Sequence, residues 1–292
     1  MESTMKLATA PDAWGVWYAD DPRQTPWERY LDEVRDSGFT ATETGPWGYL
    51  PTDPSRLTDA LGSRGLSVCG SALVHLLAPT DAMETLRPRL EQTCGLLKAM
   101  KAEWVVLMDD SDLPLPGKSR ELSPQDWALM IRNVKEAAHY VTEEHGLSFI
   151  FHPHVGSGVE TEAEVIRLLE ETPEDSVGLC FDFGHHAYTG ADAVAFMKRY
   201  ADRIPYYHFK NVDPVLLAHI RQNNINFIEG FQSGVMCELD KGMVDFAEVR
   251  DFLATRGFDG YAVYEQDMYP CPPEKPFPIA RHNRQVLREL GI

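Results

Sequence analysis

Four times along this chain a helical pattern halts at a glycine and an apolar run begins at the next residue. The joints are Asp36-Ser37-Gly38-Phe39, Ser63-Arg64-Gly65-Leu66, Glu144-His145-Gly146-Leu147 and Thr255-Arg256-Gly257-Phe258. Glycine accepts the left-handed conformation that closes a helix, so each joint marks a helix-to-strand step. The apolar runs are short: 6–11, 40–45, 66–74, 104–108, 147–151, 177–181, 206–209 and 261–264. Several are nearly continuous in apolar or β-branched residues, as in parallel strands covered on both faces. Eight such units fit the 292 residues as one (β/α)8 TIM-barrel domain spanning 1–292. No Gly-x-Gly-x-x-Gly follows the first run, which argues against an open dinucleotide-binding sheet.

Helix signals lie between these runs. Thr25-Pro26-Trp27-Glu28 combines a capping residue, a first-turn proline and an acid three residues on, and Trp27, Tyr30, Leu31 and Val34 then share a face. Ser123-Pro124 opens a second helix, burying Trp127, Met130, Ile131 and Val134. A third opens at Thr161-Glu162-Ala163-Glu164 over Val165, Leu168 and Leu169. Asp245 starts the last barrel helix, with Val249, Phe252 and Leu253 inward. The loop over 213–242 is long; a short helix at 214–223 and a lid role are expected of it. The proline-rich stretch 270–278 leads into a final helix over 279–290, outside the barrel or against a partner subunit, so a homo-oligomer fits this reading.

Charge narrows the partners. Lys+Arg of 27 against Asp+Glu of 45 gives 27 − 45 = −18, a field that repels nucleic acid and anionic membrane. No apolar run nears the roughly 20 residues needed to span a bilayer, and no basic segment precedes an apolar one at the start. Cys69, Cys94, Cys180, Cys237 and Cys271 form no Cys-x-x-Cys pair and read as reduced thiols of a soluble cytoplasmic protein.

In a barrel, chemistry gathers where strands end, because those ends and their loops converge on one mouth. The second run ends near Glu43, the third at His75, the fourth at Asp109-Asp110 and the fifth at His152-Pro153-His154. The sixth ends in Asp182-Phe183-Gly184-His185-His186, the seventh in His208-Phe209-Lys210 and the eighth in Glu265-Gln266-Asp267. Scattered surface polarity would not track strand ends so regularly. Asp182, His208 and Glu265 come from consecutive strands and alternate with apolar neighbours, so all three can face the mouth. Carboxylate with imidazole suits Mn²⁺ or Co²⁺, and also Mg²⁺, Fe²⁺ or Zn²⁺. A fourth ligand would come from the fifth strand, with His152 the first candidate.

Phe151-His152-Pro153-His154-Val155-Gly156-Ser157 and the segment from Phe181 to Asp192 resemble the inosose dehydratase branch of the xylose-isomerase-like barrels. So do Arg203–Val212 and Gly242-Met243-Val244-Asp245-Phe246. The similarity covers most of the chain and is strongest over 147–267. It implies ligands at Asp182, His208 and Glu265, with a fourth at the strand-five position. Most of the superfamily has Glu there; this chain has His152. Asn211 stands where an acid is common, and Asp267 is a second acidic candidate.

A divalent ion with an open position polarises a carbonyl and its neighbouring hydroxyl, stabilising the enediolate formed by proton loss. One group must take that proton, and elimination needs an acid for the departing β-hydroxyl. His154 is the candidate base, or else the fourth metal ligand in place of His152. Lys210 is the candidate acid, or else an ion-pair partner of Glu43 or Asp109. His185 is expected to bond substrate or a ligand, and His186 to be structural. His75, Glu43 and Trp14 are expected to line the pocket, with Trp17 and Trp47 also able to stack on a ring. The expected function is a metal-dependent dehydratase of a keto-inositol or related ketosugar. The alternatives are a ketosugar isomerase or epimerase, or a lyase that eliminates the aglycone of a 3-keto-glycoside.

Overall fold

All eight apolar runs form strands in the computed structural model, which describes residues 5–109 and 122–292. They are β1 (Lys6–Thr9), β2 (Ala41–Glu43), β3 (Ser67–His75), β4 (Trp104–Asp109), β5 (Ser148–Phe151), β6 (Gly178–Asp182), β7 (Tyr206–Phe209) and β10 (Tyr261–Tyr264). Each pairs in parallel with its neighbours, and β1 pairs with both β2 and β10, so the sheet closes on itself. The result is a (β/α)8 barrel. Asp110 lies outside the described residues.

The barrel is clad by α1 (Trp27–Ser37), α2 (Pro54–Gly62), α3 (Ala82–Met100), α4 (Pro124–His139), α5 (Glu162–Glu171), α6 (Phe183–Tyr188), α7 (Ala193–Tyr200) and α10 (Phe246–Thr255). Gly38, Gly65, Gly146 and Gly257 all adopt positive φ between 64° and 91°, the backbone that the four joints require. The caps of α4 and α5 form as expected: Ser123 accepts from Asp126 N, and Thr161 with Glu164 makes a full capping box. Thr25 does not cap α1. Pro26 takes the cap position in extended conformation, and the Thr25 hydroxyl turns to the Trp14 carbonyl. Trp27 and Phe252 lie only partly buried at the edges of their helices.

Two apolar cores result. A small one fills the barrel interior with Ala8, Cys69, Val106, Ile150, Cys180, Tyr206 and Val263; the larger lies between strands and helices. Long side chains in the upper interior therefore have nowhere to go but the mouth.

The stretch after β7 carries more structure than one helix. A two-stranded antiparallel hairpin, β8 (Asn211–Val212) with β9 (Met236–Cys237), encloses α8 (Pro214–Gln222) and α9 (Phe227–Gln232). Asn211 fastens it. Its Nδ2 donates to the carbonyls of Leu239 and Val244, and its Oδ1 accepts from the amides of Val212 and Val244. A carboxylate could do only half of this, which accounts for an amide where an acid was expected.

The final helix, α11 (Pro276–Glu289), packs outside the barrel against α1. Its fully buried Asn283 donates to the Tyr264 hydroxyl at 2.9 Å and accepts from Leu239 N at 2.7 Å. Among the described residues no helix is long and apolar enough to cross a membrane.

Candidate active site

Strand order brings the expected ligands together. His152 follows β5, Asp182 ends β6, His208 sits within β7 and Glu265 follows β10, and all four are buried. The His208 Nδ1 atom is the hub. It lies 2.9 Å from Glu265 Oε2, 3.1 Å from His152 Nε2 and 3.8 Å from Asp182 Oδ2, while His152 Nε2 is 3.7 Å from that same oxygen. The four donor atoms all lie within 4.8 Å of one another. His152 Nδ1 is buried without a hydrogen-bond partner, and Asp182 Oδ2 has only the Lys210 ammonium, 3.0 Å away. Two imidazole nitrogens and two carboxylate oxygens meeting at one buried point form a donor set that fits a divalent metal. Cys180 also lies within reach of His152 and His208, but burial pushes its thiol up to about 12 and keeps it protonated.

Glu43 lines the cavity and is held there by two partners. Its Oε1 accepts from the Tyr206 hydroxyl at 2.9 Å and lies 3.1 Å from His208 Nε2. A carboxylate only accepts, so His208 donates through Nε2 to Glu43, while its Nδ1 faces Glu265 Oε2 at 2.9 Å. Burial opposes the charge, but Cys180, Glu265 and Glu43 hold the imidazole well above its usual range, so a metal taking Nδ1 would displace a proton. Glu43 is thus a positioning residue. Glu43→Gln is expected to weaken divalent-metal binding about 10- to 100-fold while leaving the circular-dichroism spectrum unchanged, as calorimetric titration with Mn²⁺ would show.

Lys210 is the group most changed from expectation. It pairs with neither Glu43 nor Asp109; Asp109 instead accepts from the amides of Leu77 and Gly158. The Lys210 ammonium lies 3.0 Å from Asp182 Oδ2, 3.1 Å from Glu265 Oε2, 3.0 Å from Asp267 Oδ2 and 3.9 Å from Asp12 Oδ2. Its stem is pressed on Gly184, where an added Cβ would come within 2.5 Å of Lys210 Cγ. Burial would lower its pKa, but Asp182, Asp267 and Glu265 outweigh that and hold it well above the usual lysine range. Burial likewise opposes charge on Asp182, yet Lys210 and His185 keep that carboxyl well below its usual range. Burial and then Glu265 raise Asp12, and burial raises Asp267.

Two histidines face each other across the cavity floor. The rings of His154 and His185 are 3.8 Å apart between centroids. His154 Nδ1 is 2.7 Å from the Val155 carbonyl, which can only accept, so the proton sits there and Nε2 keeps its lone pair. Burial, then the charges of His152 and Lys210, push the His154 pKa down to about 3 and leave the ring neutral. His185 has the same tautomer for another reason: Lys210 donates to its Nε2 at 3.1 Å, leaving Nδ1–H buried and unpartnered.

Above this floor opens a cavity of about 500 Å³ lined by Asp12, Glu43, His152, His154, His185, His208, Lys210, Glu265 and Asp267. Trp17 and Trp47 line it too, but Trp14 and His75 do not. A 3-10 turn at Pro11–Trp14 rotates Trp14 into the core, where its indole donates to Glu33 and meets Tyr30 edge-on. His75 turns toward α3 and contacts the Ala82 carbonyl, Thr85 and Arg89. His186 packs on Phe181 and Phe196 and pairs with Glu162, the structural place expected of it. Asp12 was missed. The same strand-end signal marks Asp12, which stands just past β1.

The family model for the xylose isomerase-like TIM barrel matches residues 31–290. The chain belongs to that family. Among similar members, an inosose dehydratase of Geobacillus thermodenitrificans is 28% identical over 298 residues, 99% of this chain and 98% of its own. A probable 3-DHS dehydratase from Bacillus anthracis superposes with a TM-score of 0.72 at 17% identity, covering 97% of this chain and 99% of the other. A xylose isomerase-like barrel from Mycobacterium smegmatis, solved in complex with magnesium, gives a TM-score of 0.71 at 16% identity over 100% and 98% of the two chains. These solved barrels share the fold of this one.

Proposed function

We propose that this barrel is a metal-dependent carbon–oxygen lyase acting on a keto-inositol or a related ketosugar. The observation that carries the reading is the convergence of His152, Asp182, His208 and Glu265 on one point of the cavity floor, flanked by a neutral His154 and a charged Lys210. The family's inosose dehydratase relatives support it. A divalent cation held there, Mn²⁺ or Co²⁺ by the mix of imidazole and carboxylate, would polarise a carbonyl and the adjacent hydroxyl and acidify the neighbouring carbon.

The chain's own groups then divide the work. His154 Nε2 takes the proton from carbon, since its lone pair is unprotonated and faces the cavity. Lys210 holds the β-oxygen and supplies its proton as the C–O bond breaks. His185 Nδ1–H offers a donor to a substrate oxygen. Asp267 and Asp12 keep the ammonium in place over the floor. The five cysteines form no disulfide, and a cytoplasmic setting follows on this reading.

The test is incubation with keto-inositol in deuterated water, before and after chelation. Activity is expected to vanish with EDTA and to return with Mn²⁺ or Co²⁺, the product lighter by one water. Full activity in metal-free protein overturns the metal role. A product of unchanged composition carrying ring deuterium would show an isomerase or epimerase instead.

A further inference from the structure

Strand order divides the mouth of the barrel into unlike halves. The four candidate ligands come from β5, β6, β7 and β10, which are consecutive around the sheet. A ring gripped there must extend toward β1, β2, β3 and β4. That half offers little to a hydroxyl. Ala72, Val74, Val106 and Met108 line it with apolar surface, Ser71 shares a hydrogen bond with Thr44 at 2.7 Å, and Arg89 donates to the Val74 carbonyl at 2.8 Å. Gln92 and Thr93 reach the cavity from α3, which packs on β3. Glu43 is taken by Tyr206 and His208. Asp12 is different.

The 3-10 turn Pro11–Trp14 holds Asp12, and the turn is anchored in the core by the indole of Trp14 on Glu33. Asp12 Oδ1 accepts the Ala13 amide at 2.8 Å, so the carboxylate is fixed by one oxygen. Its Oδ2 accepts no hydrogen bond among the described residues, and its ion-pair contact, the Lys210 ammonium, is 3.9 Å away. Of the four carboxylates around Lys210, Asp12 keeps the most open surface: its side chain is 20% exposed, against 1%, 7% and 4% for Asp182, Glu265 and Asp267. An acceptor left open in a cavity wall on a rigid turn is placed to fix the orientation of a ligand. β1 and β5 lie on opposite sides of the closed sheet, so Asp12 and His154 flank a cavity of about 500 Å³ from opposite sides.

We propose that Asp12 determines specificity: its Oδ2 receives a hydrogen bond from an O–H or N–H group of the ring, beside the oxygen that Lys210 holds. The inference rests on the lyase reading for the position of the ring and the role of Lys210. A hydroxyl supplies such a donor, and an amine supplies a charged one. Asp12 and Asp267 face the single ammonium of Lys210, so a second positive charge is favoured there over a neutral donor. A carboxylate or phosphate in the same place would be repelled.

The test is a cycle of ligands against variants, with Mn²⁺ present. The probes are keto-inositol, its monodeoxy forms and its monoamino forms. Binding is read by the fluorescence of Trp17 and Trp47, which line the cavity, and water loss by mass. In wild type, removal of one particular hydroxyl is expected to weaken binding at least tenfold, the usual worth of a hydrogen bond to a charged group. An amine at that position is expected to bind more tightly than the hydroxyl. In Asp12→Ala both differences are expected to fall below twofold, while other positions keep theirs. Asp12→Asn, whose amide oxygen still accepts from Ala13, should lose the amine's advantage with the turn intact. A coupled hydroxyl without an amine advantage supports the role of Asp12 and makes the hydroxyl its partner. A loss shared equally by all probes would mean that Asp12 acts only through Lys210, and overturns the proposal. So does a hydroxyl penalty that Asp12→Ala leaves intact at every position; water loss from keto-inositol would then still uphold the lyase reading. Position-specific coupling without water loss from any probe overturns the lyase reading and leaves the Asp12 contact standing.

Discussion

Lys210→Met is expected to reduce turnover about 10²- to 10⁴-fold, the usual worth of a positioned proton donor, while the protein continues to bind metal. The accompanying change in stability is the more telling result. In the metal-free protein the Lys210 ammonium lies within 3.1 Å of a carboxylate oxygen of each of Asp182, Glu265 and Asp267. Removing it leaves those carboxylates facing one another without compensation, a loss on the order of 3–5 kcal/mol. A divalent ion restores positive charge to the same pocket, so Mn²⁺ should recover much of that loss. Urea denaturation with and without Mn²⁺ measures both numbers, and steady-state rates measure the first. Wild-type turnover in the variant would remove Lys210 from the chemistry. An unchanged unfolding midpoint without metal would show that its contacts with the carboxylates contribute little.

Asp182→Asn is expected to cost more than a hundredfold in metal affinity, beyond what an outer partner of a ligand is worth. The substitution is informative because Asp182 has two separate tasks. Its Oδ1 accepts the amide of His185 and caps α6, and an asparagine oxygen can do the same. Its Oδ2 points into the cluster, where an uncharged amide would bring donors toward the Lys210 ammonium. The fold should therefore survive while the site fails. Metal content by elemental analysis, beside a far-ultraviolet spectrum, separates the two effects. Retention of a full equivalent of metal would contradict the proposed ligand set.

The barrel was legible because its signals are local. An unbroken apolar run flanked by a helix-closing glycine identifies a strand wherever it stands, and each of the eight lay within a few residues of its expected place. The convergence of the candidate ligands was legible for a related reason: Asp182 and His208 lie within strands, where alternation fixes which way a side chain points. Legibility fails where a turn or a neighbouring helix, not the strand, sets the side chain's direction. Trp14, Trp17 and Trp47 are equivalent as sequence, but a single 3-10 turn sends the first to the core and leaves the others at the cavity. His75 is the last residue of β3 and yields to the pull of α3. The company kept by Lys210 depends on Asp267 and Asp12, which come from the two extremes of the chain and meet only because β1 lies beside β10.

That closure gives the tail of the chain a say in the chemistry. Gln266 stands between Glu265 and Asp267 and faces away from them, bonded to Tyr264 and to the Met236 carbonyl of the hairpin. Asn283 of the last helix grips the same Tyr264 hydroxyl and, on its other side, the amide of Leu239. One amide on the outer surface of the barrel thus acts as a clasp, holding the two acids at their spacing and the covering hairpin over them. The reach of the active centre extends to a helix that never touches what is bound there.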